Sequence, residues 1–394
     1  MYVLILYVLL AVCAVQMILS EENRRAEWII YGIIAMIFLL RFSIGQDTEG
    51  YYWMFGMLDG PTGISGSHMM RNFGYTFLNY IVKVVTGEFR WLVLLSNLII
   101  LGLCTYTVYR HSKSPLFSLL LFVGSGMLEV YYGSGIKQGI AMAIYFFAFY
   151  EFLPKKKYLW YEICILLAAG FQEVSLILVP VPLLYKLVNH FKKHPYRMTI
   201  IISAIAWILA WGVNQYASLF EYMITMHTGY APTWTHLLAY LHRRSFSYAG
   251  VAMELVFLIG VMLLYHFAEK KDWDDFRYLE ILTFNASCVI YYLFAGYSIM
   301  SRTSDFIQII MLVLIPNLVC ALPDREKQLL AFGAVFAVNF VLLYTDLSVK
   351  CRQVSANQNV EMTMEKYPYI SVFNRQTIED IYAHTFDEDD GTEP

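Results

Sequence analysis

Charge is what this chain has least of. Lys and Arg number 28 and Asp and Glu 31 in 394 residues, 15% in all, against about 25% in an ordinary soluble chain. The net charge of −3 gives no basic footprint, so no nucleic-acid partner is expected. Cysteine is scarce as well. The six, at positions 13, 104, 164, 288, 320 and 351, show no CxxC or Cys/His spacing, and five lie in apolar runs where cysteine acts as a small hydrophobe. A disulfide scaffold and a metal framework are excluded on that pattern, and no metal or cofactor is expected. The first segment has no basic start, and Ser20-Glu21-Glu22 after it offers no A-x-A site, so it reads as a retained span rather than a signal peptide. No internal repeat or low-complexity block stands out.

What is abundant is apolar surface: 58% of the residues are hydrophobic, and 17% of the chain is aromatic. Runs without a charge, such as Tyr2–Leu19, are long enough to cross a bilayer. The expected fold is therefore all-α, a polytopic helical membrane protein. Candidate spans are 2–19, 26–42, 91–109, 115–132, 137–153, 198–217, 249–268, 278–299, 304–321 and 328–345. Segment 158–187 differs, with Gly170-Phe171-Gln172-Glu173 at its middle and Pro180 and Pro182 beyond. If the Arg24/Arg25 loop is cytoplasmic and sides alternate, 16 of the 28 Lys and Arg fall inside, but only when 158–187 enters and leaves on one side. That predicts a broken helical hairpin turned near Gly170–Glu173, about twelve membrane helices, and both termini outside. The alternative is one long kinked span that inverts everything downstream. Residues 1–345 then form one membrane domain with outer loops at 43–90 and 218–248. The first loop holds an aromatic interfacial stretch near Tyr51–Phe55 and a short, re-entrant Phe73–Val85. Residues 346–394 form an extracytoplasmic acidic tail, partly disordered.

Ionisable groups inside or beside spans are costly, roughly 2.5–3.5 kcal/mol each on insertion scales, and so mark partners or function. Arg41, Lys137 and Arg302 sit at span ends that this topology turns outward, against the positive-inside bias, and Arg243 and Arg244 join them. Outward cations at headgroup depth suit a diphosphate ligand; the plainer reading is that each snorkels to lipid phosphate. Asp47 either caps a helix or holds Arg41 or a sugar hydroxyl, with Tyr51 one turn on. Gln172 and Glu173 lie at the hairpin break, where a restarting helix offers its amides to anions. Glu173 is either a first-turn cap or a general base.

Several of these residues fall into an ordered series. Arg41-x-x-x-Gly45-x-Asp47-x-x-x-Tyr51, Phe73-Gly74-Tyr75-x-x-Leu78-Asn79-Tyr80, Gly135-Ile136-Lys137-Gln138-Gly139-Ile140-Ala141, Phe171-Gln172-Glu173-Val174-Ser175-Leu176-Ile177, Ser301-Arg302 and Tyr367-Pro368-Tyr369 resemble the motifs of the EpsG family. Its members are Wzy-like polymerases of bacterial exopolysaccharide and capsule. Lys137 stands where that family has Arg, and Gln172 where it has His. The resemblance implies joining of oligosaccharide units on undecaprenyl diphosphate, a membrane lipid substrate, at the outer face of the cytoplasmic membrane, with undecaprenyl diphosphate leaving. It makes a flippase and a chain-length regulator natural partners. Arg41, Lys137, Gln138 and Arg302 would then hold the diphosphate, with Arg243, Arg244 and Tyr51 beside it. Glu173 first and Asp47 second would act as base, with Gln172 at the same site, by inverting displacement. Competing readings are a flippase or transporter of the same lipid-linked sugars, a polytopic ligase or acyltransferase, and a non-catalytic assembly subunit.

Overall fold

The computed structural model describes residues 2–19, 24–42, 47–58, 72–125, 127, 135–209, 211, 248–271, 273–293, 298–358 and 369–382. Among them the architecture is helical, with one short pair of strands. Three helical segments are long and apolar enough to cross a membrane by length and composition: Phe89–His111, Glu173–Lys193 and Arg325–Val349. Several shorter apolar helices accompany them. Where the sequence suggests a single membrane domain over 1–345, the contacts divide the chain into two units, Met1–Leu176 with Pro323–Pro394, and Ile177–Leu322.

The first unit is built around α7 (Ile136–Phe152), in which 14 of 17 residues are buried. A helix apolar on every side has no solvent or lipid face to present, and it becomes a core element. Helices α5 (Phe89–His111) and α8 (Tyr158–Ala169) pack along it, and Tyr145, Tyr150 and Tyr161 fill the space between. On another side of the unit α1 (Tyr2–Leu19) meets α6 (Pro115–Gly124) and α15 (Arg325–Gln358). A side chain on Gly124 would come within 2.7 Å of the Tyr7 ring and 2.9 Å of Asn339 Cβ, so glycine permits this close approach. α6 starts at Pro115, and Glu27 of α2 (Arg24–Leu39) accepts from the Leu116 amide at 3.2 Å. A carboxylate on orphan N-terminal amides is favourable, which accounts for a buried acid there.

Four features position the functional residues. After α2 the chain runs through β1 (Arg41–Phe42) and enters α3 (Thr48–Gly56). α4 (Phe73–Thr86) is amphipathic: Tyr75, Thr76, Asn79 and Val82 face inward, while Phe73, Phe77, Ile81 and Val84 are exposed. That outward stripe suits a helix lying against lipid. α8 stops at Ala169, and the chain restarts as two 3-10 turns, Glu173–Leu178 and Val181–Leu184. Pro180 and Pro182 bring no backbone N–H and cannot continue an α ladder. The break thus falls where Gly170–Glu173 predicts it.

The tail does not end with the last span. α15 continues to Gln358, and residues 370–371 return as β2 (Ile370–Ser371), antiparallel to β1 with Arg41 opposite Ser371 and Phe42 opposite Ile370. α16 (Arg375–Tyr382) follows. The helix that closes the expected membrane segment thus runs on past 345 to Gln358. The acidic residues 387–390 lie outside the described residues.

The second unit contains α9 (Tyr185–Lys193), α10 (Pro195–Leu209), α11 (Tyr248–Phe267), α12 (Asp275–Leu293), α13 (Ser298–Gln308) and α14 (Met311–Cys320). Two buried polar contacts tie its helices together. Asn285 Nδ2 donates to Thr199 Oγ1 at 2.9 Å, and Gln308 Nε2 donates to Glu254 Oε2 at 2.6 Å.

Candidate functional site

The centre of the candidate site is one ammonium group. Lys137 opens α7, and its Nζ stands 5.2 Å from the Tyr51 ring centroid and 5.5 Å from that of Tyr75. Both separations lie within the ~6 Å at which an aromatic face attracts a cation, a contact worth about 0.5–2 kcal/mol. The two rings are themselves in contact at 5.3 Å. Asp47 supplies the opposite charge acting on Lys137. It occupies the N-cap position of α3, yet its side chain makes no cap hydrogen bond. The capping role open to it in the sequence is not the one it takes, and its carboxylate bears on the ammonium instead. Residues 47, 51 and 75, from α3 and α4, thus surround the one charge that α7 supplies at Lys137.

A second convergence lies next to the first. The Gly74 amide donates to the Gly170 carbonyl at 2.7 Å, and a Cβ on Gly74 would meet that oxygen at 3.0 Å and the Phe171 ring at 3.2 Å. Glycine at 74 is what lets the start of α4 touch the break after α8. Tyr75 therefore adjoins the Phe171-Gln172-Glu173 segment through its neighbour. Gln172 uses its backbone for the turn, donating to Ala168 O at 2.9 Å and accepting from Ser175 N at 3.0 Å. Glu173 begins the 3-10 turn with its side chain exposed.

Arg41 is 2% exposed, an unusual state for a guanidinium. Its carbonyl accepts from Asn97 Nδ2 at 3.0 Å. Its charge reaches the Tyr369 hydroxyl, which burial pushes to a higher pKa while the Arg41 charge opposes that shift. Tyr369 donates to Ile37 O at 2.9 Å. Gln138 is buried on α7, with Nε2 3.9 Å from Met142 Sδ, so it packs along its own helix. Arg302 lies on α13 of the second unit, and its side chain falls outside the described residues, as do Arg243 and Arg244 entirely. The expected gathering of Arg41, Lys137 and Arg302 thus has two members in one unit and the third in the other.

Tyr75 and the Gly74–Gly170 contact are absent from the list of sites drawn from sequence. The signal was the Phe73-Gly74-Tyr75 triplet, but one tyrosine among 31 carries little weight until a cation is seen against it. Among the described residues no three His, Cys, Asp or Glu side chains cluster as a metal ion would need.

Comparison with known proteins gives one positive result. The family model described as the EpsG family matches residues 27–371, most of the chain. No curated protein and no solved structure matches. The matched region takes in β1 and β2, the Lys137 cage and the break at Gly170 together.

Proposed function

The chain belongs to the EpsG family, and from that premise we propose that it lengthens a polysaccharide from units carried on undecaprenyl diphosphate. Membership itself gives a polysaccharide polymerase-type role in glycan assembly at a membrane. The finer reading places the reaction on the outer face of the bacterial cytoplasmic membrane, the chain crossing about twelve times with 158–187 as a hairpin. One observation supports it above the rest: Asp47, Tyr51 and Tyr75 converge on the half-buried ammonium of Lys137, beside the Gly170–Glu173 break.

In this reading the bond between the donor sugar's anomeric carbon and the diphosphate oxygen breaks. That oxygen keeps the electron pair and leaves as undecaprenyl diphosphate. Negative charge grows on it, and a fixed cation stabilises growing charge more than it stabilises the ground state. Lys137 is that cation, held in place by two rings and Asp47 rather than by a mobile surface position. The acceptor hydroxyl forms the new glycosidic bond and passes its proton to Glu173, whose exposed side chain follows the break at Gly170. Asp47 is engaged with Lys137 and positions it. Arg41, buried at the β1–β2 pair, adds a second permanent charge on the same unit.

The test is chain lengthening in membranes given lipid-linked units. Lys137→Ala should cut it by about 10²–10³-fold, the loss that removal of one charge-stabilising donor brings, with membrane insertion unchanged. Lys137→Arg should retain polymer, since a forked cation serves the same oxygen. Normal polymer from Lys137→Ala ends the proposal. Accumulation of units on the inner leaflet, instead of single units outside, would identify a flippase.

A further inference from the structure

Away from the Lys137 site, the first unit carries a half-open cavity that no part of the polymerase chemistry uses. It measures about 290 Å3 and lies where α3, the α4–α5 corner and α16 come together. Its apolar wall is Tyr52, Phe55 and Phe89; the rings of Tyr52 and Phe55 each stand edge-on to Phe89, at 5.4 and 5.7 Å. Its polar rim is a chain of ion pairs. Glu88 takes Arg90 at 2.5 Å and Arg375 at 3.1 Å, and Arg375 also reaches Glu379 at 2.7 Å. The rim is held further by Arg90, which lies 5.0 Å from the Trp91 ring centroid and donates to Phe373 O at 3.4 Å.

We propose that this cavity is a saccharide subsite that holds a sugar residue of the glycan away from the reacting bond. The argument is one of matched surfaces. A pyranose presents an apolar C–H face, which packs on aromatic rings, and an edge of hydroxyls, which donate to carboxylates and accept from guanidinium N–H. The cavity offers both at once, aromatic on one wall and a pre-set carboxylate–guanidinium rim on the other, the mixed lining by which pockets orient small polar ligands. Its volume sits at the lower edge of the ~300–1,000 Å3 range for such sites, fitting one or two sugar rings rather than a lipid. Because the rim side chains already hold one another, little rotamer freedom is lost on binding.

The cavity's distance from Lys137 fits that role. Tyr51 at the ammonium and Phe55 in the cavity wall lie one turn apart on α3, about 6 Å along its axis. On α4, Tyr75 by the ammonium and Lys83 on the cavity rim are separated by about 12 Å. A glycan whose terminal sugar reacts at Lys137 would reach the cavity with a neighbouring sugar. The subsite rests on the polymerase reading for its ligand class, and α16 completes it, since Arg375, Ile378 and Glu379 come from the returning tail.

The experiment uses the purified full chain in lipid nanodiscs and saturation-transfer NMR with glucose, galactose, N-acetylglucosamine, glucuronic acid and their disaccharides. At least one should bind the unaltered protein. Glu379→Ala and Arg375→Ala, both at exposed positions that leave the core intact, should each weaken it by about tenfold, the loss of a hydrogen bond to a charged group. Glu326→Ala, at an exposed position outside the cavity and outside the Lys137 site, should bind as the unaltered protein does. Absence of binding by the whole panel, or binding by both rim variants as tight as that of the unaltered protein, overturns the subsite. Failure of the polymerase reading shows separately, as normal chain lengthening with Lys137→Ala.

Discussion

At the scale of single residues, the informative feature is what replaces a forked cation. Arg at position 137 would bring its own planar donors; Lys brings a point charge on a flexible stem, and a point charge has to be aimed from outside. Tyr51, Tyr75 and Asp47 do the aiming. Tyr75→Leu should then lower chain lengthening by several-fold, in line with the ~0.5–2 kcal/mol of a cation–π contact, while Tyr75→Phe keeps the ring face and stays within about twofold. Equal losses from both would mean that the hydroxyl, not the face, matters. Glu173→Gln should lower turnover without weakening lipid-substrate binding; unchanged turnover removes Glu173 as base and turns attention to Asp47. Asp47, Tyr51 and Lys137 were legible in the sequence because a charge or ring beside a span is costly or placed. Tyr75 was not, because nothing in the spacing of residues 51, 75 and 137 says that three helices meet there.

Among elements, the long apolar runs announced themselves, and so did the break at Gly170, since Gly170, Pro180 and Pro182 interrupt a helical period. The return of the tail did not. A two-residue strand has no periodicity to detect, and the polar composition of residues 346–394 reads as solvated whether or not it docks. In the structure this segment is held at both ends of a short strap, by β2 on β1 and by Arg375 on Glu88. The hydrogen bond from Arg90, assisted by the charges of Arg90 and Arg375, holds the Glu88 carboxyl below its ordinary pKa. A carboxylate depressed in the folded state contributes stability above its unfolded pKa, near 4.3, and loses it as pH falls through the lower folded value. The α16 strap should therefore stay protected from hydrogen exchange at pH 6–7 and lose protection below about pH 4, with Glu88→Gln unprotected already at neutral pH. Protection that is independent of both would mean that the strap is held without Glu88. The same scale gives a test of close approach: Gly74→Val should separate α4 from the break and lower chain lengthening, at an overpacking cost of about 1–3 kcal/mol.

For the whole molecule the open quantity is sidedness, and length decides what has to be asked. α8 is 12 residues long, about 18 Å at 1.5 Å per residue, well short of the ~30 Å hydrocarbon core. The apolar stretch after the break runs only from Glu173 to Leu184 before Tyr185–Lys193 turns polar, with Lys186, His190, Lys192 and Lys193. α8 does not cross alone, whereas Glu173–Lys193 is long and apolar enough to do so by length and composition, so the pair either goes in and comes back, or joins into one kinked crossing. Charge favours the first, because Lys155–Lys157 and Lys192–Lys193 then share the cytoplasmic side with Lys270 and Lys271. Lys155 and Lys192 are engaged by Glu151 and Asp275, so the exposed neighbours Lys157 and Lys193 are the better reporters. With the native cysteines replaced, Lys157→Cys and Lys193→Cys should both resist a membrane-impermeant thiol reagent in intact cells and both react in inverted vesicles. Opposite reactivity would make 158–187 a single span and move Arg302 to the inner side. Lys137 would keep its place, since it precedes the break, and a diphosphate site would then have to be built from the first unit alone.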